Sequence, residues 1–331
     1  MSITIRPFTP EDYPGLAAIA TAIEPDYPET PEHLRVNDEN RDPAAKFQRF
    51  IAVKDGEVIG CAGYEDHPRG SDRFWIWVEV HPAHQKQGYG NALYEYLLET
   101  LKPFDPPILR SDSRENRERG RQFLLDRGFV EEMREKESAL TVAEFDPAVF
   151  QADVERAQAQ SIVFKTYAQL RAEATDLADL HQRLDDLHWA VDQDIPFPDE
   201  HVRRPHSEFI KRFEHPSFQP EGNIYALDGE RLIGGSILWG RPTGKDLDTG
   251  MTGVLRDYRK RGIATALKVI ALTYAKKYGA TKVRTQNEEN NVGMLGINIR
   301  LGFKPQPAWI FYVKELKPGS LKIEKTTATA P

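Results

Sequence analysis

The sequence predicts an α/β protein (α+β by some schemes) made of two tandem copies of one domain, each a mixed sheet flanked by helices. Three observations predict this. The chain has 331 residues, room for two domains of ordinary size. It resembles itself at a fixed offset of 174 residues. Within each copy, apolar runs of strand length interleave with helix-periodic segments.

Several segments carry the repeat in one register. AHQKQGYGNAL at 83–93 stands against DYRKRGIATAL at 257–267, with Gly88 opposite Gly262. DRGF at 126–129 stands against RLGF at 300–303, and Asn116 against Asn290. Upstream, 52–60 matches 226–234, slipping by one residue at an Asp-Gly turn. The period is domain-sized and far too long for a solenoid.

The elements follow in the same order in each copy. A strand comes first (Ile3–Arg6; Ile162–Thr166), then helical segments and a Pro-rich stretch. A hairpin turning at Asp-Gly is next (Phe50–Tyr64; Ile224–Trp239). A strand (Phe74–Val80; Leu247–Val254) then runs into a Gly loop and a helix (Gly90–Leu101; Ala264–Tyr278). Another strand (Ile108–Asp112; Lys282–Gln286), a helix ending at Gly-Phe and a last strand (Ser138–Phe145; Trp309–Leu316) complete the copy. The N-terminal domain is thus 1–146 and the C-terminal domain 161–318. Residues 147–160 form a connecting helix with Asp146 as N-cap and Pro147 at its first position. Residues 319–331 are expected to be a loose tail.

Composition narrows the function. Hydrophobic residues make up 40%, charged residues 29% and aromatic residues 10%, as in soluble globular proteins. Lys and Arg number 44 against 51 Asp and Glu, and the net charge of −7 argues against nucleic acid as a partner. The single cysteine, Cys61, excludes an internal disulfide and a Cys-rich metal site; no metal is expected. No apolar run reaches the ~18 residues of a membrane helix, and the first 20 residues read as strand then helix rather than a leader. A cytoplasmic protein without a membrane partner is expected.

The most informative segment is the Gly loop. Gln85-Lys86-Gln87-Gly88-Tyr89-Gly90 and Arg259-Lys260-Arg261-Gly262-Ile263-Ala264 each follow a strand and open a helix. Free N–H groups at a helix N-terminus converge on one place, and the helix dipole favours an anion there. Glycine lets a diphosphate approach the backbone, and Lys86, Arg259, Lys260 and Arg261 add positive charge. Neither loop ends in Gly-Lys-Ser/Thr, which excludes a Walker A loop, and the first glycine of a Rossmann fingerprint is missing.

Taken together, these motifs resemble the GNAT superfamily of acetyl-CoA-dependent N-acetyltransferases, whose motif is Gln/Arg-x-x-Gly-x-Gly/Ala after the fourth strand. Val78-Glu79-Val80-His81-Pro82, and Thr252-Gly253-Val254 in the second copy, match the strand end before that motif. The tandem layout is similar to that of mycothiol synthase, whose substrate is not carried over. The resemblance implies that backbone groups of 85–90 and 259–264 hold the coenzyme A pyrophosphate. It implies that backbone near Val80 and Val254 pairs with the pantetheine arm and supplies an oxyanion-hole donor. Asn291 fits the family's asparagine facing the coenzyme; in the first copy that spacing falls on Arg117, with Asn116 one residue early. Acetyl-CoA is the expected cosubstrate and coenzyme A a product.

Transfer to an amine needs a base for the ammonium proton. Strand alternation sets Trp75, Trp77 and Glu79 on one face, opposite Phe74, Ile76, Val78 and Val80. A carboxylate beside indoles is desolvated and its pKa rises, which makes Glu79 the candidate base. The second copy has Gly253 there, leaving Asp246 and Asp248 earlier on the strand. The family's usual acid is a Tyr on the last helix; its position falls at Leu124 and at Asn298. Tyr89, Tyr94, Tyr96 and Tyr312 are substitutes in principle. His81 and His84 read as loop histidines, and Cys61 as a small core residue. The base favours the first copy and the charged loop the second, which is also the better expected coenzyme binder.

On the acceptor side, Glu24, Asp26 and Glu29, or Asp192, Asp194 and Asp199, can line a site for a cationic amine, with Tyr27, Trp189 and Phe197 as apolar walls. The expected activity is therefore direct acetyl transfer to a small primary amine in a ternary complex. A non-catalytic acyl-CoA-binding or regulatory module is the main alternative, favoured by the missing tyrosines. A scaffold with two empty loops, and transfer to protein N-termini or lysines, are the others.

Overall fold

The first hairpin forms where an Asp-Gly turn requires it. Asp55 and Gly56 both adopt positive φ, 51° and 85°, the left-handed pair of a tight two-residue turn. They join β2 (Phe47–Lys54) to β3 (Glu57–Asp66), and β2 pairs with β1 (Thr4–Pro7). Between β1 and β2 lie α1 (Tyr13–Ile23) and α2 (Pro31–Asn40), the latter capped by the Thr30 hydroxyl, which accepts from the His33 N–H at 3.1 Å. The chain continues through β4 (Phe74–Val80), α3 (Tyr89–Leu101), β5 (Ile108–Arg114), α4 (Glu118–Leu125) and β6 (Val130–Thr141).

Asp146 accepts from the Ala148 N–H at 3.0 Å and leads into α5 (Gln151–Gln158), a helix that lies within the second unit rather than between the two. The second set of elements is β7 (Ile162–Thr166), α6 (Tyr167–Glu173), α7 (Leu177–Asp192), α8 (His206–Lys211), β8 (Ile224–Asp228), β9 (Arg231–Gly240) and β10 (Leu247–Val254). It closes with α9 (Ile263–Tyr278), β11 (Lys282–Glu288), α10 (Val292–Arg300), β12 (Lys304–Pro305) and β13 (Trp309–Glu315). This computed structural model describes residues 3–199 and 201–321, so the tail expected from Lys322 lies outside the described residues.

Two units result. The first takes the chain up to Met133 and again from Ile310; the second is Arg134–Trp309. Their strand orders are β1-β2-β3-β4-β5-β13 and β6-β11-β10-β9-β8-β7, with β12 on β6. These units differ from the domains 1–146 and 161–318 that the repeat suggests. The first copy's last strand starts at Val130 rather than Ser138, and its residues 135–141 pair with β11. The second copy's last strand lies beside β5, where Ile310 and Tyr312 enter the core of the first unit. Sheet pairing is a backbone interaction, and duplicated sheets offer equivalent edges, so an exchange of equivalent strands leaves no trace in the hydrophobic pattern.

Each sheet buries one face under two helices. In the first unit Phe50, Ile59, Phe74, Leu93, Leu97 and Phe129 meet beneath α3 and α4; in the second, Ile224, Ile233, Leu247, Leu267, Val283 and Phe303 do the same beneath α9 and α10. The central parallel pairs hold together only at their start. β4 meets β5 at Phe74↔Leu109 and Trp75↔Arg110; β10 meets β11 at Leu247↔Val283 and Asp248↔Arg284. Beyond those residues the strands separate, so each unit has a cleft at the C-terminal ends of its strands, where α/β sheets bind ligands.

One core residue is chemically out of place. Lys268 of α9 is buried, its Nζ has no hydrogen-bond partner among the described residues, and the Phe303 ring lies 5.2 Å away. Burial pushes its pKa from 10.5 down to about 7. Between these values the unfolded chain holds a proton that the folded one lacks, so stability rises with pH across that window. Lys268→Met is expected to raise stability by about 2–4 kcal/mol at pH 7, the gain vanishing above pH 10.5. Denaturant melts at both ends of the window measure it.

Candidate active site

The two Gly loops have one backbone shape. Lys86 and Gly88 take φ of 63° and 84°, and Lys260 and Gly262 take 62° and 80°. A Cβ built on Gly88 or Gly262 would meet nothing within 4 Å, so glycine is there for conformation and the space above it is open. Helical bonding starts at Ala92 N–H to Gly88 C=O and at Ala266 N–H to Gly262 C=O, leaving the amides before them without an intrahelical acceptor. A cradle of this form fits a diphosphate.

The side chains of the loops do less than their charge suggests. Gln85 Nε2 donates to Val80 C=O at 3.0 Å, and Arg259 Nε donates to Val254 C=O at 3.1 Å. The first motif residue therefore braces the loop against the strand end. Asp194 forms ion pairs with both Arg256 and Arg259, and Gln160 accepts from Arg261 Nε at 2.9 Å. Gln87 and Lys260 are exposed, while Tyr89, Gly90 and Ala264 are half-buried and Ile263 is in the core.

Alternation decides which backbone groups face the clefts. The His81 N–H donates to Ile59 C=O and the Leu255 N–H to Ile233 C=O, both toward the hairpin. Their neighbours Val80 and Val254 point their backbone the other way, into the opening between the separated strands. The side chains of both valines are buried.

The predicted faces of β4 are as observed: Phe74, Ile76 and Val80 are in the main core, while Trp77 packs with Leu16, Ile51 and Cys61 on the other side. Glu79 shares that second side. Desolvation holds its carboxyl above the usual carboxylate range, opposed by a hydrogen bond from Cys61 Sγ at 3.3 Å and by Arg49, and reinforced by Glu24 and Glu29. Glu24 in turn pairs with Arg117 at 3.0 Å and Arg114 at 3.6 Å, and Glu29 with His33 at 2.6 Å.

The matching position of the second unit is closed. A Cβ on Gly253 would lie 2.1 Å from Val191 Cγ1, so the end of α7 fills the space a carboxylate would need. Asp246 and Asp248 do not substitute for one: they stand at the start of β10, bound to the Lys282 N–H at 3.1 Å and Arg241 Nη2 at 2.7 Å.

Other expected residues are placed elsewhere. Asn291 caps α10, its side-chain oxygen accepting from the Met294 N–H at 3.2 Å. Asn before a helix is a common capping residue, a role that the reading of Asn291 as a coenzyme contact passed over. Asn116 is exposed, and Arg117 occupies the N-cap of α4. Asn298 is buried and donates to Asn287 Oδ1 at 2.7 Å; Leu124 is a core residue. Tyr94 and Tyr312 are also in the core, and His81 closes its own turn by accepting from the Ala83 N–H at 3.3 Å. The closure by Val191, the Asp194 pairs and the Cys61–Glu79 contact needed three-dimensional register and had no signal in the sequence.

The profile of the family described as Acetyltransferase (GNAT) family matches residues 14–129 and 183–303. The N-alpha-acetyltransferase 30 of Schizosaccharomyces pombe is 28% identical over 131 residues, 37% of this chain and 79% of that protein. A tandem GNAT protein from the clavulanic acid biosynthesis pathway superposes with a TM-score of 0.73 at 18% identity, over 96% of this chain and 99% of that one. A GCN5-related N-acetyltransferase from Sphaerobacter thermophilus does so at 0.66 and 17%, over 96% of each chain.

Proposed function

Since this chain belongs to the GNAT acetyltransferase family, we propose that its first unit transfers the acetyl group of acetyl-CoA directly to a small primary amine in a ternary complex, with Glu79 as the base. One observation carries the assignment to that unit. Glu79 stands at the end of a separated strand with its carboxyl held above the usual range, whereas Val191 closes the same position beside Gly253.

Acetyl-CoA supplies an acyl group activated as a thioester. The amides from Gln85 to Gly90 would hold its pyrophosphate, and the Val80 N–H of β4, on the side away from the hairpin, its pantetheine arm. Residues 259–264 and Val254 offer the second unit the same means. Glu79 takes the ammonium proton of the acceptor, and its raised pKa brings it closer to the working pH of a general base. Glu24 and Glu29, close enough to act on Glu79, favour an acceptor that arrives as a cation. With Leu124 and Asn298 at the tyrosine positions, neither α4 nor α10 offers a hydroxyl to the departing thiolate.

The second unit suits the role of a non-catalytic acyl-CoA-binding module. Its loop arginines are engaged by Asp194 and Gln160, and Gly253 leaves it no carboxylate at the position of Glu79. Among the described residues, no helix is long and apolar enough to cross a membrane, and no cluster of His, Cys, Asp and Glu could hold a metal ion.

Calorimetric titration with acetyl-CoA, followed by thiol release in the presence of small primary amines, tests this. The expected result is amine-dependent release of coenzyme A, lost when Gly88 is replaced by valine. Gly262→Val is expected to remove one binding event from a stoichiometry of two. No binding heat, or thiol release indifferent to amine, would overturn the proposal.

A further inference from the structure

Glu79 has a cross-strand neighbour that the reaction as described does not use. Cys61 on β3 is its register partner, and the thiol donates to Glu79 Oε2 at 3.3 Å. Cys61 is 2% exposed, packed with Leu16 and Ile51, so its side chain is fixed. Burial and the adjacent carboxylate push the thiol well above its ordinary range, which keeps it an S–H donor and not a thiolate. The second unit lacks both members of the pair together: Gly235 stands opposite Gly253.

We propose that Cys61 is a positioning residue for Glu79: its S–H holds Oε2 and leaves Oε1 as the oxygen that takes the acceptor's proton. This rests on the reading of Glu79 as the base. A carboxylate in a poorly solvated place needs a donor on one oxygen if the other is to stay in one orientation. A thiol is a weak donor, so it orients the carboxylate while costing it little basicity.

Three charged groups besides Cys61 act on Glu79. Arg49 of β2 lies on its strand side, itself paired with Asp38 of α2 at 2.9 Å. Glu24 follows α1, and Glu29, joined to His33, precedes α2. None of these changes when Cys61 is substituted. Cys61→Ala removes the donor, so the carboxyl pKa rises further. The acid limb of the kcat/KM profile is then expected to move to higher pH by about half a unit. Cys61→Ser retains a donor and is expected to return the limb toward its original position. A packing role alone would lower Tm without moving the limb.

A second measurement needs neither turnover nor coenzyme. The chain has one cysteine, so its S–H stretching band in the infrared is a single assignable signal. Glu79→Gln is expected to shift that band, because the acceptor changes from carboxylate to amide. An unmoved band, or an unmoved acid limb in Cys61→Ala, overturns the proposal. Should Cys61→Ala fail to fold, the band and Cys61→Ser decide. If Glu79→Gln keeps full turnover yet shifts the band, the base assignment fails while the contact stands.

Discussion

Glu79→Gln is expected to lower kcat by about 10²- to 10⁴-fold, the usual contribution of a general base. Affinity for acetyl-CoA stays unchanged, because the substitution alters neither the loop at 85–90 nor the exposed backbone of β4. Glutamine keeps the shape and can still accept from Cys61, so the loss reports the missing proton acceptor. The wild-type profile should rise with pH through a value above the ordinary carboxylate range, since desolvation disfavours the charged form. The variant should lack that limb. Its stability should move the other way. A carboxyl whose folded pKa is raised binds its proton more tightly in the folded state, so it lowers stability once pH exceeds the unfolded value. Glu79→Gln is therefore more stable than wild type near pH 7, and the difference fades as pH falls below the ordinary carboxylate range. Steady-state rates and denaturant melts over pH test both halves. Undiminished kcat would show that the base lies elsewhere.

Ending the chain at Ala308 is expected to unfold the first unit altogether. That cut removes β13 and with it Ile310 and Tyr312, which are 0% and 1% exposed. It also removes the bond from Arg121 Nε to the Tyr312 hydroxyl at 3.2 Å and the one from the Leu316 N–H to Pro107 C=O at 2.8 Å. Two buried side chains of this size are worth about 5–8 kcal/mol together. A strand's ladder adds to that, and whole domains have only about 5–15 kcal/mol in hand. The fragment 1–146 should fail for the same reason, although the internal repeat marks it as a complete domain. Near-ultraviolet circular dichroism and hydrogen exchange report the loss. A cooperative melt from either fragment would show that β13 is dispensable.

These predictions draw on different depths of the sequence. The Gly loops, both hairpins and the cap at Asp146 were legible because each depends on local backbone demands: a positive φ, a tight turn, an unpaired amide. The face on which Glu79 stands was legible because alternation along seven residues of β4 is a two-residue rule. What could not be read was pairing across the chain. Whether Trp309–Glu315 joins one edge or its duplicate is decided in space, and its apolar pattern suits both. Val191 looks like any buried helix residue until Gly253 is found beneath it. Arg259 and Arg261 looked like phosphate ligands, but charge alone does not say that Asp194 and Gln160 reach them first.

The return of the last strand to the first unit has a consequence for synthesis. When Met133 leaves the ribosome the sheet around β5 is incomplete, and it stays so until Ile310 emerges. At about 5–20 residues per second that interval lasts roughly nine to thirty-five seconds. During it β5 presents an unpaired edge to every other nascent chain on the polysome, the condition under which strands join the wrong partner. The second unit, continuous in sequence from Arg134 to Trp309, is under no such delay. The half that comes off the ribosome first is thus the half that finishes folding last, and its yield in a cell should depend on how well a chaperone covers one strand edge.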